Sequence, residues 1–146
     1  DPFGLTFVED KQKMIKDLIE IRFLIEPSIA AMAAIRADET DIKNILTACE
    51  KAEKLLLANK NHVAEDIAFH TAIALSSKNI VVPKLVPIIS SSIPLISESA
   101  KFTMRDEAIE THREIADAIA AHDAVRAHDA MYLHLVYNRK YIKSIN

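Results

Sequence analysis

Apolar residues recur at three- and four-residue steps along almost the whole chain, the periodicity of amphipathic helices. The spacing predicts a first helical region from about Glu9 to Arg36, kinked or broken at Pro27, whose ring removes a backbone donor. Asp38 to Asp41 is rich in capping side chains and opens a second helix that fades near Asn59. A third runs from about His62 to Ser76. A Ser-Ser-Lys-Asn turn ending at Asn79 leads into a fourth, which carries Pro83, Pro87 and Pro94 and must be bent or split. The fifth spans about Thr103 to His122, and Asp123 can cap a sixth that runs close to the C-terminus. Short connections favour antiparallel neighbours. The expected architecture is therefore all-α, an antiparallel bundle of six or seven helices forming one domain over residues 1–146.

Composition agrees with packed helices. Half of the residues are apolar, yet only 5% are aromatic and there is a single Gly, which leaves little for the turns and alternation of a sheet. A net charge of −3 supplies no broad basic surface for phosphate backbones, so these residues alone are a poor candidate for binding DNA. The only cysteine, Cys49, excludes an internal disulfide and fits a reducing cytoplasm. It falls on the stripe Ile42, Ile45, Cys49, Ala52, Leu56, which reads as a buried structural thiol. The most apolar stretch, Asn79 to Ile96, is interrupted by Lys84, three serines and three prolines, too short and too broken for a membrane span. The opening Asp-Pro, with neither Met nor signal peptide, reads as a piece of something longer.

The chemistry lies in the polar residues that interrupt apolar stripes. On the third helix the inward face reads Val63, Asp66, Ile67, His70, Ala74, and Asp66 and His70 stand one turn apart on one face. His112 interrupts Ala108, Ile115, Ile119 on the fifth helix, and His134 follows Ala127, Ala130 and Met131 on the sixth. A lone core histidine is usually a hydrogen-bonded structural residue, and Asp66 with His70 can be a simple helix pair. Together they say more, because burying such groups unpartnered costs on the order of 1–3 kcal/mol each. One shared divalent cation satisfies all four. One carboxylate and three imidazoles suit zinc or nickel, and also iron or manganese. Arg22 similarly interrupts Ile15, Leu18, Ile25, Ile29. It reads either as an i,i+4 bridge to Glu26, or a snorkelling side chain, or as a fork for a ligand carboxylate. His62, His122 and His128 read as surface residues.

These residues, in this order, resemble the effector-binding C-terminal domain (FCD) of GntR-type transcription regulators of the FadR subfamily. Arg22-Phe23-Leu24-Ile25-Glu26-Pro27 with Ala30-Ala31-Met32-Ala33-Ala34 resembles that family's opening Arg-x-x-x-Glu helix and small-residue run. Asp66-Ile67-Ala68-Phe69-His70, then Ser76-Ser77-Lys78-Asn79, resembles its Asp-x-x-Phe-His segment and following turn. His112, Ile115, Ala118-Ile119, Asp123, Ala127, Met131 and His134-Leu135 match its C-terminal pattern. The resemblance implies that Asp66, His70, His112 and His134 are metal ligands and that Arg22 holds the carboxylate of a small organic acid. Asn79 falls at a motif position too, although capping the fourth helix explains it equally well. Two departures, Lys78 for the usual Gly and Thr111 for the usual acidic residue before His112, are expected to leave the ligands untouched. The resemblance further implies a homodimer that binds operator DNA through an N-terminal winged helix-turn-helix lying outside these residues.

The main rival is a helical metal-dependent hydrolase, in which the same ligands activate water. The adjacent pairs His122-Asp123 and His128-Asp129 bring HD-type phosphohydrolases to mind, but they lie off the inward stripes, and no general base or nucleophile stands beside the four ligands. An enzyme is therefore not expected. A plain interaction bundle with incidental histidines is the other alternative.

Overall fold

The structure, a computed structural model, describes Gly4, residues 7–100 and residues 104–145; at 95–100 and 141–145 only the backbone is described. Six α-helices follow in order: α1 Lys11–Arg36, α2 Glu39–Leu57, α3 Val63–Ser76, α4 Val86–Ala100, α5 Arg105–Ala120 and α6 Ala124–Ile145. A 3-10 turn, Val82–Leu85, precedes α4. No strand occurs among the described residues. Thr103, the expected start of the fifth helix, lies outside them.

The helix ends follow from local chemistry. Asp10 starts α1 by accepting from the Lys13 backbone N–H at 3.0 Å. Asp38 and Asp41 form a reciprocal capping box at α2, at 2.8 and 3.0 Å. Asp123 accepts from the Arg126 backbone N–H at 3.1 Å and starts α6. Asn59, Lys78 and His122 all take positive φ, where the chain turns after α2, α3 and α5. The fourth helical region is split before Val86, whereas Pro94 lies inside α4 and does not end it. Pro83 sits at the start of the 3-10 turn, and Pro87 lies in the first turn of α4, where a backbone donor has no helical acceptor.

The expected break at Pro27 does not occur. Helix α1 runs through it for 26 residues. A proline inside a helix costs about 3 kcal/mol, but here Leu18, Ile19, Arg22, Glu26, Pro27, Ile29, Ala30, Ala33 and Ala34 are all buried along one continuous face. Packing of that face outweighs the lost hydrogen bond.

Helix α1 lies along α6 and also touches α3, α4 and α5; α2 packs on α3 and α5, and α4 covers α1, α3 and α6. The core joins Ile29, Ala30 and Ala33 of α1, Ile45 and Cys49 of α2, Phe69 and Ile73 of α3, Ile115 and Ile119 of α5, and Met131 and Leu135 of α6. Among the described residues, no helix is long and apolar enough to cross a membrane.

Candidate metal centre

Asp66 and His70 rise from α3, His112 from α5 and His134 from α6, and the bundle brings these side chains to one place. The imidazole rings of His112 and His134 are 4.9 Å apart between centroids, and those of His70 and His134 are 5.5 Å apart. One nitrogen from each of the three rings lies within 4.8 Å of the others. Asp66 Oδ1 stands 3.3 Å from both His70 Nε2 and His112 Nε2. All three histidines are buried, and the Asp66 side chain is 14% exposed.

Proximity has not produced hydrogen bonds. Asp66 Oδ1, His70 Nε2 and His112 Nε2 are close enough for ion pairs, yet none is aligned with a hydrogen-bond partner. Three polar atoms thus converge on one buried place and remain unsatisfied, each a cost of roughly 1–3 kcal/mol. Two ligand atoms each bound to a tetrahedral zinc at ~2.1 Å are about 3.4 Å apart, close to the observed oxygen–nitrogen separations. The donor set fits a divalent cation.

The outer nitrogens of two rings are held. His70 Nδ1 lies 2.6 Å from Glu26 Oε1, and since a carboxylate only accepts, that nitrogen donates and Nε2 is left facing Asp66. His134 Nδ1 lies 2.9 Å from Thr111 Oγ1. The Thr111 hydroxyl donates to the Glu107 carbonyl at 2.8 Å, so its oxygen accepts from the ring and, in the neutral ring, His134 Nε2 is the nitrogen without a proton. Thr111 therefore touches His134, one of the four candidate ligands, where the sequence reading expected it to leave them untouched. A helical threonine reads locally as a back-bonding residue, and nothing in the chain near it points to a partner 23 positions away.

Electrostatics follow from these neighbours. Burial alone would raise the Asp66 carboxyl, but the facing His112 and His70 rings hold it well below the usual range. Burial would lower His70, yet the carboxylates of Glu26 and Asp66 raise it to about 9. Burial, reinforced by His112 and His70, pushes His134 well below the ordinary imidazole value and keeps it neutral. Burial would raise Glu26, and Arg22 with His70 brings it down to about 2.

Arg22 makes the bridge to Glu26 and keeps one nitrogen without a partner. The bridge exists: Nε donates to Glu26 Oε2 at 2.6 Å, with both residues buried and no snorkelling to the surface. Nη1 donates to Ser92 of α4 at 3.2 Å. Nη2 is buried and has no partner. Asn79 lies apart, in the turn before the 3-10 helix, where its Oδ1 accepts from the backbone of Val81 and Val82 at 2.9 and 3.2 Å. Lys78, beside it, adopts φ 57 and pairs with Asp38 and Asp41, a backbone conformation that accounts for a glycine at this point. Exposed His122 bonds the Ala34 carbonyl at 2.9 Å, and half-buried His128 faces its neighbour Asp129 at 3.1 Å. His62 is half-buried rather than superficial, with Nδ1 unpartnered.

Comparison with known proteins adds the family. The family model of the FCD domain matches residues 17–137. The HTH-type transcriptional regulator LutR of Bacillus subtilis is 30% identical over 132 residues, 86% of this chain and 60% of that protein. The galactonate operon transcriptional repressor of Escherichia coli is 32% identical over 119 residues, 76% of this chain and 50% of that protein. The solved structure of Streptococcus agalactiae GntR superposes with a TM-score of 0.85 at 33% identity, covering 95% of this chain and 64% of its own. The chain thus spans half to two-thirds of the length of these three proteins. LutR and the galactonate repressor are named as transcriptional regulators, and with the FCD match this sets aside the hydrolase reading. The chain belongs to the FCD domain family of the GntR-type transcription regulators.

Proposed function

We propose that this domain is the sensor of its regulator: it binds one divalent metal through Asp66, His70, His112 and His134, and a small carboxylic acid beside it. The observation that carries this reading is the convergence of Asp66 Oδ1, His70 Nε2 and His112 Nε2, all unpartnered, with Arg22 Nη2 unpartnered in the same core. His134 adds a neutral ring whose Nε2 carries no proton. Zinc and nickel suit this donor set best, and iron and manganese follow. With its Nε edge already held by Glu26, Arg22 offers the acid a single-pronged contact through Nη2 instead of a full fork. The galactonate in the name of one relative is a hydroxylated monocarboxylate, an acid of the class such a site takes.

The signal leaves as a change in DNA binding by an N-terminal winged helix-turn-helix of the longer, dimeric, cytoplasmic protein. An acid shifts that equilibrium only as far as it prefers one arrangement of the helices over another. The deciding experiment is elemental analysis of protein purified without a histidine tag, followed by titration with a panel of hydroxy acids that includes galactonate. About one metal per chain and saturable acid binding are expected. Metal-free protein that takes up no added zinc sinks the proposal.

A further inference from the structure

We infer that Glu26 is the positioning residue that joins the metal centre to the arginine, an inference that rests on the proposed function above. Its two oxygens serve two sites. Oε1 accepts from His70 Nδ1 and Oε2 from Arg22 Nε, both at 2.6 Å, with Glu26 only 2% exposed. The first bond fixes which nitrogen of His70 faces the metal, since a ring anchored through Nδ1–H presents Nε2. The second fixes Arg22 by its Nε edge, so that Nη2 remains available.

Charge gives Glu26 a further task. A guanidinium buried in the same core as a divalent cation repels it, and Arg22 is fully buried there. Glu26 screens that repulsion, allowing an acid-binding cation and a metal to share one core. The other anchored ring makes the contrast. His134 is held by the neutral hydroxyl of Thr111 and lies farther from Arg22 in the bonding network, whereas His70, which shares its anchor with the arginine, is held by a carboxylate. A pair retained only for stability has no need of this second bond, since a buried ion pair is commonly replaceable by apolar residues.

The test uses zinc alone as the probe. Glu26→Gln keeps the shape but has one acceptor oxygen for two donors and no charge. Zinc affinity should fall about 10–100-fold, the usual range for the carboxylate behind a metal-bound histidine. Arg22→Leu combined with Glu26→Gln should recover part of the loss, because the unscreened cation is gone and the Gln oxygen is free for His70. A merely structural role predicts no such rescue. The unsubstituted protein gives a second readout that does not depend on the variant's folding. In 15N-resolved imidazole spectra, the metal-free and zinc-loaded forms should both show a low-field, slowly exchanging proton on His70 Nδ1. Zinc affinity within about twofold of the original in Glu26→Gln, or zinc on Nδ1 of His70, overturns the role of Glu26 alone. Failure of the unsubstituted protein to bind zinc overturns the proposed function and removes this inference with it.

Discussion

The two sides of this bundle share helices but not chemistry. Where α2 packs on α3 and α5, the inward residues are Ile45, Cys49, Ala52 and Leu56, facing Ile73, Ile115 and Ile119, and all are buried and apolar except for an inert thiol. Where α1 and α6 close over the same α3 and α5, the inward residues include Arg22, Glu26, His70, Thr111, His112 and His134. One side is stabilised by excluding water from hydrocarbon. The other holds polar groups whose partners are incomplete. The contrast separates what holds the fold from what the fold holds.

Substitution on the apolar side should have the largest effect and leave the polar side intact. Ile45→Ala removes a fully buried side chain and should cost about 2–5 kcal/mol in denaturant unfolding, with zinc affinity unchanged. Weakened zinc binding in this variant would break the comparison. Next comes metal removal. Exhaustive chelation should lower the melting temperature, losing about 2.7 kcal/mol if the metal stood at a hundredfold excess over its Kd. Because His70 is raised to about 9 without metal, it carries a proton at pH 7.5, and zinc must displace it from Nε2. Uptake should therefore release about one proton, read from calorimetry in buffers of different ionisation heat, and affinity should fall further below the ordinary imidazole pKa of about 6.5. A thermal transition unmoved by chelation would leave the polar side as ordinary core.

Arg22→Leu sharpens the comparison within the polar side. It removes no metal ligand, so the protein should still bind zinc, while acid affinity should drop by roughly 1.5–3 kcal/mol, the range for a hydrogen bond to a charged group. Titration with the best acid of the panel reads this directly. Unchanged acid affinity would leave Arg22 as the partner of Glu26 and nothing more. The smallest effect belongs to Cys49, whose thiol burial pushes up to about 11. It should resist alkylation at pH 8 with or without metal, and become reactive only on unfolding. Rapid modification of the native protein would show the apolar side to be less closed than its burial indicates.

Much of this was readable along the chain. Helix periodicity gave the six helices, and Asp38, Asp123 and the prolines before α4 marked their ends, because these signals are local. The interrupted stripes singled out Asp66, His70, His112, His134 and Arg22, since an inward polar residue stands out against an apolar face. What escaped depends on contacts across the chain. Glu26 was visible as a partner for Arg22 four residues away, but its bond to His70 spans 44 positions. The Thr111 contact is hidden in the same way, and only the fold reveals it. Pro27 misled because the local rule is real, and only the continuous burial of α1 outweighs it.

That unbroken passage through Pro27 has a mechanical consequence. At about 1.5 Å per residue, α1 is a rod of roughly 39 Å with Arg22 about 16 Å from its first residue. Had the helix broken at Pro27, a displacement near Arg22 would have been absorbed at the joint before reaching the far segment. As a single lever, it carries the motion on: a tilt of about 5° pivoting at Arg22 moves the last residue, 14 positions on and past Pro27, by about 1.8 Å, from the same helical rise. The arginine proposed to meet the acid is thus built into an element able to carry a small local pull to a distance.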